Sequence, residues 1–136
     1  MDLVALNIQR GRDHGLPGYN SYRKLCGLHG LRSFRDLEQV MESGSTNMFS
    51  RLYKHVDDID LFIAGAHERP LPDALIGPTF ACIVAEQARR SKMGDRFWYE
   101  NGGLPQSFRP RKIPIKNIIF MKLIVFPVFR AIKRNS

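Results

Sequence analysis

Apolar residues recur at helical spacing along most of this chain, and strand-like alternation is scarce. Residues 2–10 predict a helix with Leu3 and Leu6 on one face; Gly11, Gly15, Pro17 and Gly18 then end it and turn the chain. A second helix is expected over 19–26, closed by Gly27. Ser33 predicts a cap for a short helix reaching Val40, with Asp36 three residues on as a capping-box variant. Ser43-Gly44-Ser45 reads as a turn, and Met48, Phe49, Leu52 and Tyr53 set a helix over 47–55. Gly77-Pro78 opens the clearest helix, running to about Lys92, with Gly94 just beyond it and Phe80, Ile83, Val84 and Ala88 as the expected buried stripe. The pattern predicts a mostly α fold.

Two polar or aromatic clusters invite chemical readings. Asp57, Asp58 and Asp60 precede Leu61-Phe62-Ile63. Their spacing lacks the glycine and the distal glutamate of an EF-hand. A helix N-terminus with acids facing the macrodipole is the better expectation. Phe97-Trp98-Tyr99 is expected to pack in a core rather than to stack a substrate. His29, His55 and His67 match no metal-ligand spacing with one another.

At 136 residues the chain is long enough for one domain with a real core. The formal charge of +8 is misleading as a hint of nucleic acid. Residues 109–136 hold eight Lys and Arg and no acid, whereas residues 1–108 are balanced, 13 bases against 13 acids. A basic groove would spread its cations over the folded body, so no specific nucleic-acid partner is expected. The tail's apolar stretches, Ile118–Met121 and Leu123–Phe129, are broken by Lys122 and Pro127 and are too short to span a bilayer. No N-terminal apolar segment reads as a signal peptide. Cys26 and Cys82 leave a thiol pair and a disulfide equally open.

The run Leu6-Asn7-Ile8-Gln9-Arg10-Gly11-Arg12-Asp13-His14-Gly15-Leu16-Pro17-Gly18-Tyr19-Asn20 closely resembles the animal haem peroxidase family, the myeloperoxidase, thyroid peroxidase and peroxidasin group. Cys26-Gly27, Asp58-Ile59-Asp60-Leu61, Gly77-Pro78 leading to Ala81-Cys82-Ile83, and Gly94-Asp95-Arg96-Phe97-Trp98-Tyr99-Glu100-Asn101 follow in family order. The resemblance covers residues 2 to about 108. It implies later helices of the catalytic domain, incomplete here: 1–108 a partial peroxidase domain, 109–136 a basic and apolar tail outside the family pattern, as from a truncated or aberrantly spliced gene model. In the family the distal histidine and arginine, the calcium site, the residues esterified to haem and the proximal histidine lie upstream of this stretch.

The resemblance also assigns roles. Asn7 resembles the family asparagine whose amide accepts the second N–H of the proximal imidazole. Arg10, one turn on, resembles the arginine paired with a haem propionate. His14 is not a ligand in the family pattern and is expected to be structural, while Arg12 and Asp13 are expected to form an intradomain charge pair. Cys26 and Cys82 resemble a family disulfide, whose loop would remove on the order of 4 kcal/mol of unfolded-state entropy, and the family setting implies an extracellular or secretory location. The implied function is a fragment of a haem peroxidase that uses hydrogen peroxide to oxidise halide, thiocyanate or phenolic reductants, inactive by itself. The alternative is a non-catalytic, peroxidase-like remnant acting as a structural or binding module.

Overall fold

The computed structural model describes residues 2–103, 105 and 107, in two compact units, Met1–Phe80 and Ala81–Ser136. Its helices are α1 (Leu3–Asp13), α2 (Tyr19–Leu25), α3 (Leu37–Val40), α4 (Ser45–Leu52), α5 (Leu61–His67) and α6 (Pro78–Gly94); short 3-10 turns at Phe34–Asp36 and Val56–Asp58 precede α3 and α5. Among the described residues no strand forms, and a single antiparallel bridge joins Met41 to Glu68. The expected α class holds. The tail, including Ile118–Met121 and Leu123–Phe129, lies outside the described residues.

Asp2 starts α1 by accepting the N–H groups of Val4 and Ala5, at 2.9 and 3.4 Å. The helix does not stop at Gly11 but runs to Asp13. The stop is Gly15, with φ of +65°: its N–H donates to Arg12 O at 3.1 Å, and Leu16 N–H reaches Gly11 O at 2.9 Å. That pair of bonds closes a Schellman cap, and the left-handed residue it requires is cheapest as glycine. Gly27, φ +71°, ends α2 in the same way, with Leu28 N–H donating to Arg23 O at 2.9 Å. Ser33 and Asp36 form the expected capping box.

The core of the first unit gathers Tyr19, Leu31, Leu37, Met41, Phe49, Val56, Ile59 and Ala64, all buried, with Phe34, Met48, Tyr53 and Ile63 packed around them. Phe49 of α4 lies at the centre, its ring 5.6 Å from the edge-on ring of His67 and 6.1 Å from that of Tyr53. Apolar surface withdrawn from water in this cluster is the main stabilising contribution. Beside it sits a buried polar knot. Glu68, 4% exposed, accepts from Tyr19 Oη, Arg23 Nη1 and Thr79 Oγ1 at 2.7 Å each, and from Thr79 N–H at 2.8 Å. Burial first, and then the neighbouring carboxylate, pushes the Tyr19 phenol well above its usual range.

The aspartates of 57–60 meet the expectation only in part. Asp58 caps the 3-10 turn by accepting from His55 N–H at 3.0 Å, and Asp57 accepts from the Asn20 side chain. Asp60 occupies the N-cap position of α5, yet its side chain makes no capping bond. Asp60 thus stands at the α5 N-terminus as expected, but its hydrogen bonds go to Arg12 and Tyr53, while Asp57 and Asp58 serve a distant side chain and the preceding turn.

In the second unit the buried positions of α6 are Ala81 and Ala85, while Val84 of the expected stripe is 37% exposed. Bulk and apolarity marked the valine, but neighbours decide which face of a helix is covered. The aromatic cluster is a local surface assembly rather than core: Trp98 and Tyr99 rings lie 4.8 Å apart, Lys92 sits 5.9 Å from the Trp98 ring centre, and Phe97 is 52% exposed. Both cysteines, Cys26 and Cys82, are disulfide-bonded. Among the described residues no helix is long and apolar enough to cross a membrane.

Candidate functional site

A pocket of about 340 Å³ lies between α1, the corner after it and the start of α5. Helix α1 contributes Asn7, Ile8, Arg10 and Gly11, with His14 at its end; the corner adds Leu16 and Pro17; Asp60, Leu61 and Phe62 come from α5 and its cap, and Phe80 from the first turn of α6. At about 100° per residue, Asn7, Gly11 and His14 fall on one side of α1 and Arg10 about 60° away. The structure therefore brings Asn7 and Arg10 to one wall. Neither side chain has a hydrogen-bond or ion-pair partner among the described residues; Asn7 is half-buried and Arg10 exposed.

Apart from His14 and Asp60, the rest of the lining is apolar. Phe62 and Phe80 approach with ring centres 6.5 Å apart. Phe80 also lies on Gly65, where a side chain's first carbon would stand 2.2 Å from the ring. The glycine is thus what lets Phe80 seat against α5.

His14 hydrogen-bonds the helix that it follows. Its Nδ1 lies 2.8 Å from Arg10 O, and because a carbonyl can only accept, Nδ1 carries the proton and caps the end of α1. The expected pairing of Arg12 with Asp13 does not form. Arg12 instead makes a two-bond fork to Asp60, Nε to Oδ1 at 3.0 Å and Nη2 to Oδ2 at 2.7 Å, and Tyr53 Oη donates to the same carboxylate at 2.8 Å. Adjacent charges on one helix end lose to a partner whose geometry suits a guanidinium fork.

The Arg12 bonds hold the Asp60 carboxyl below the usual carboxylate range, against the opposing effect of partial burial. Asp60 raises the Arg12 guanidinium in turn. A depressed carboxylate stabilises the fold above its unfolded pKa, and that contribution fades as pH falls through the folded value. The thermal midpoint should therefore drop as acid enters and passes below the ordinary carboxylate range. Asp60→Asn should flatten that part of the profile; a profile unchanged by the substitution would remove Asp60 from the account.

Sequence reasoning named Asn7 and Arg10 but missed Asp60, Phe62 and Phe80 as parts of the same pocket. Asp60 was hidden in an acidic run, and Phe80 in a helix stripe. Among the described residues no grouping of three His, Cys, Asp or Glu could hold a metal ion.

The family described as animal haem peroxidase has a sequence model that matches residues 1–128. Thyroid peroxidase of Rattus norvegicus is 49% identical over 102 residues, 74% of this chain and 11% of that protein. Eosinophil peroxidase of Mus musculus is 41% identical over 140 residues, covering 100% of this chain and 20% of that protein. Among solved structures, peroxidase A from Dictyostelium discoideum matches with a TM-score of 0.66 at 40% identity, over 74% of this chain and 19% of that one. The chain thus spans about a tenth to a fifth of these proteins.

Proposed function

The chain belongs to the animal haem peroxidase family, and from that premise we propose that the Asn7–Arg10 wall supports the proximal side of a haem. The peroxidase of which it forms part would use hydrogen peroxide to oxidise halide, thiocyanate or phenolic reductants. The observation that carries the reading is the presence together of two polar side chains, Asn7 and Arg10, neither with a partner among the described residues, on one wall of an otherwise largely apolar pocket.

The residues present fit the edge of such a group. Arg10 offers a guanidinium fork to a propionate carboxylate, and Asn7 offers an amide oxygen to an imidazole N–H supplied from outside this chain. Ile8, Leu16, Pro17, Phe62 and Phe80 offer the apolar surface that an aromatic macrocycle needs. Haem, when bound, supplies the redox chemistry with peroxide. Asn7 fixes the imidazole and its basicity, and Arg10 neutralises a carboxylate and sets the group's register. The disulfide state of Cys26 and Cys82 supports an extracellular or secretory setting.

Haem titration of the 136-residue protein, followed by the growth of its Soret absorption, tests this. We expect weak binding, and peroxide-dependent guaiacol oxidation no faster than that of free haem. Arg10→Ala should weaken binding about tenfold, which corresponds to about 1.4 kcal/mol, the low end for a charge-assisted bond at an exposed site. Equal affinity in wild type and Arg10→Ala would refute the role given to Arg10. A titration curve unchanged by Asn7→Ala and Arg10→Ala together would favour the non-catalytic structural or binding module.

A further inference from the structure

Helix α1 carries the proposed haem wall, yet it buries none of its own residues, and Leu3 and Val4 are 67% and 42% exposed. Leu6, Ile8 and Gly11 are only half-buried where α1 packs against α5, so packing on one face limits the rotation of α1 about its axis without fixing it. A directional contact is needed to finish aiming Asn7 and Arg10.

Two adjacent residues tie the end of α1 to the folded body. Ile59, fully buried, accepts the N–H of Tyr19 at 2.8 Å and so fixes the corner that follows α1. Asp60, the next residue, holds Arg12 through the two-bond fork and is itself held by Tyr53 Oη. Tyr53 in turn packs on Phe49 at the centre of the core.

We propose that Asp60 is a positioning residue: through Arg12 it sets the rotation of α1 and thereby the aim of Asn7 and Arg10, a role that rests on the haem reading above for its consequence but not for its geometry. Arg12 lies about 140° around the helix from Asn7, so the clamp grips a flank and leaves the pocket face free. A fork of two parallel bonds resists twisting as one bond cannot. Arg12 is 62% exposed and Asp60 15%, so the pair adds little stability as a surface ion pair. Its effect is on direction.

The field of Asp60 and its clamp predict opposite signs for one substitution. Asp60 lines the pocket as an anion. If it acted on a carboxylate-bearing ligand only through its charge, Asp60→Asn would tighten haem binding. If it acts by aiming α1, the same substitution weakens it.

The test has two arms on the full 136-residue chain. Without haem, amide hydrogen exchange is followed across α1 and α4 in wild type, Asp60→Asn and Arg12→Gln. Both variants should exchange about tenfold faster over Leu3–Asp13, with α4 unchanged; unchanged α1 exchange overturns the proposal whatever haem does. With haem, a cycle is built from Arg10→Ala, Asp60→Asn and the double variant. Asp60→Asn should weaken binding about five- to tenfold, Arg10→Ala should then cost less than threefold further, and Asp60→Glu should recover part of the loss. Tighter binding, or strictly additive losses, overturns the positioning role while leaving the haem reading intact. An Arg10→Ala protein that binds haem as wild type does sinks the haem reading instead, and the exchange arm still decides the clamp.

Discussion

Glu68→Ala is expected to destabilise the protein by about 3–5 kcal/mol, a large share of the stability of a domain of this size. The carboxylate is buried and meets four donors: Tyr19 Oη, Arg23 Nη1 and both polar groups of Thr79. Removing it strands the Arg23 guanidinium, which is 5% exposed on its side chain, with no counter-charge. It also strips Tyr19 and Thr79 of acceptors at a place water does not reach. The cost is that of orphaning the partners rather than the worth of one ion pair. Glu68→Gln should cost less but still more than 1 kcal/mol, because an amide must turn a donor towards groups that already donate. Replacing the pair together, Arg23→Met with Glu68→Leu, should recover much of the loss. Urea unfolding followed by far-UV circular dichroism measures all three; a Glu68→Ala midpoint close to wild type would mean that the knot is not closed in solution.

Nothing local marks Glu68 in the sequence. It stands between His67 and Arg69 and reads as part of a solvated charged run, while its partners lie 11, 45 and 49 residues away. Only the fold shows its imprint elsewhere in the chain, at Gly77. A side chain's first carbon on Gly77 would stand 2.5 Å from Glu68 Oε2, so that glycine is the space the carboxylate occupies. The helices were legible because caps and periodicity are local: Ser33 with Asp36, and Gly27 after α2, did what their chemistry demands. The end of α1 was misplaced because a glycine inside a helix costs only about 1 kcal/mol against alanine, so Gly11 could stay helical while Gly15 made the turn. That Asn7 and Arg10 share one wall was legible from their spacing, whereas Asp60, 48 residues from Arg12, needed the fold.

Gly18→Ala is the second large effect, about 2–3 kcal/mol, and it reaches the site as well as the fold. Gly18 has an ordinary extended backbone, φ −63° and ψ 163°, so alanine brings no torsional strain. Space is the constraint. The new carbon would stand 2.3 Å from Asp57 O and 3.2 Å from Ile59 O, and backbone oxygens cannot rotate away as a side chain can. The corner would have to lift from residues 57–59, lengthening the bond from Tyr19 N–H to Ile59 O and drawing Asn20 off Asp57. Leu16 and Pro17, which line the pocket, ride on that corner. Gly15 supplies the contrast. Its φ of +65° penalises a side chain by about 1–2 kcal/mol, but no atom lies within 4 Å of where that side chain would start. Gly15→Asn, which tolerates the left-handed region, should therefore be milder than Gly15→Ala, and Gly18→Ala worse than either. Urea midpoints should rank in that order, and haem affinity should fall with Gly18→Ala more than with Gly15→Asn. A Gly18→Ala protein as stable as Gly15→Asn would show that the corner does not sit against Asp57 and Ile59, and with it the anchoring of α1 would fail.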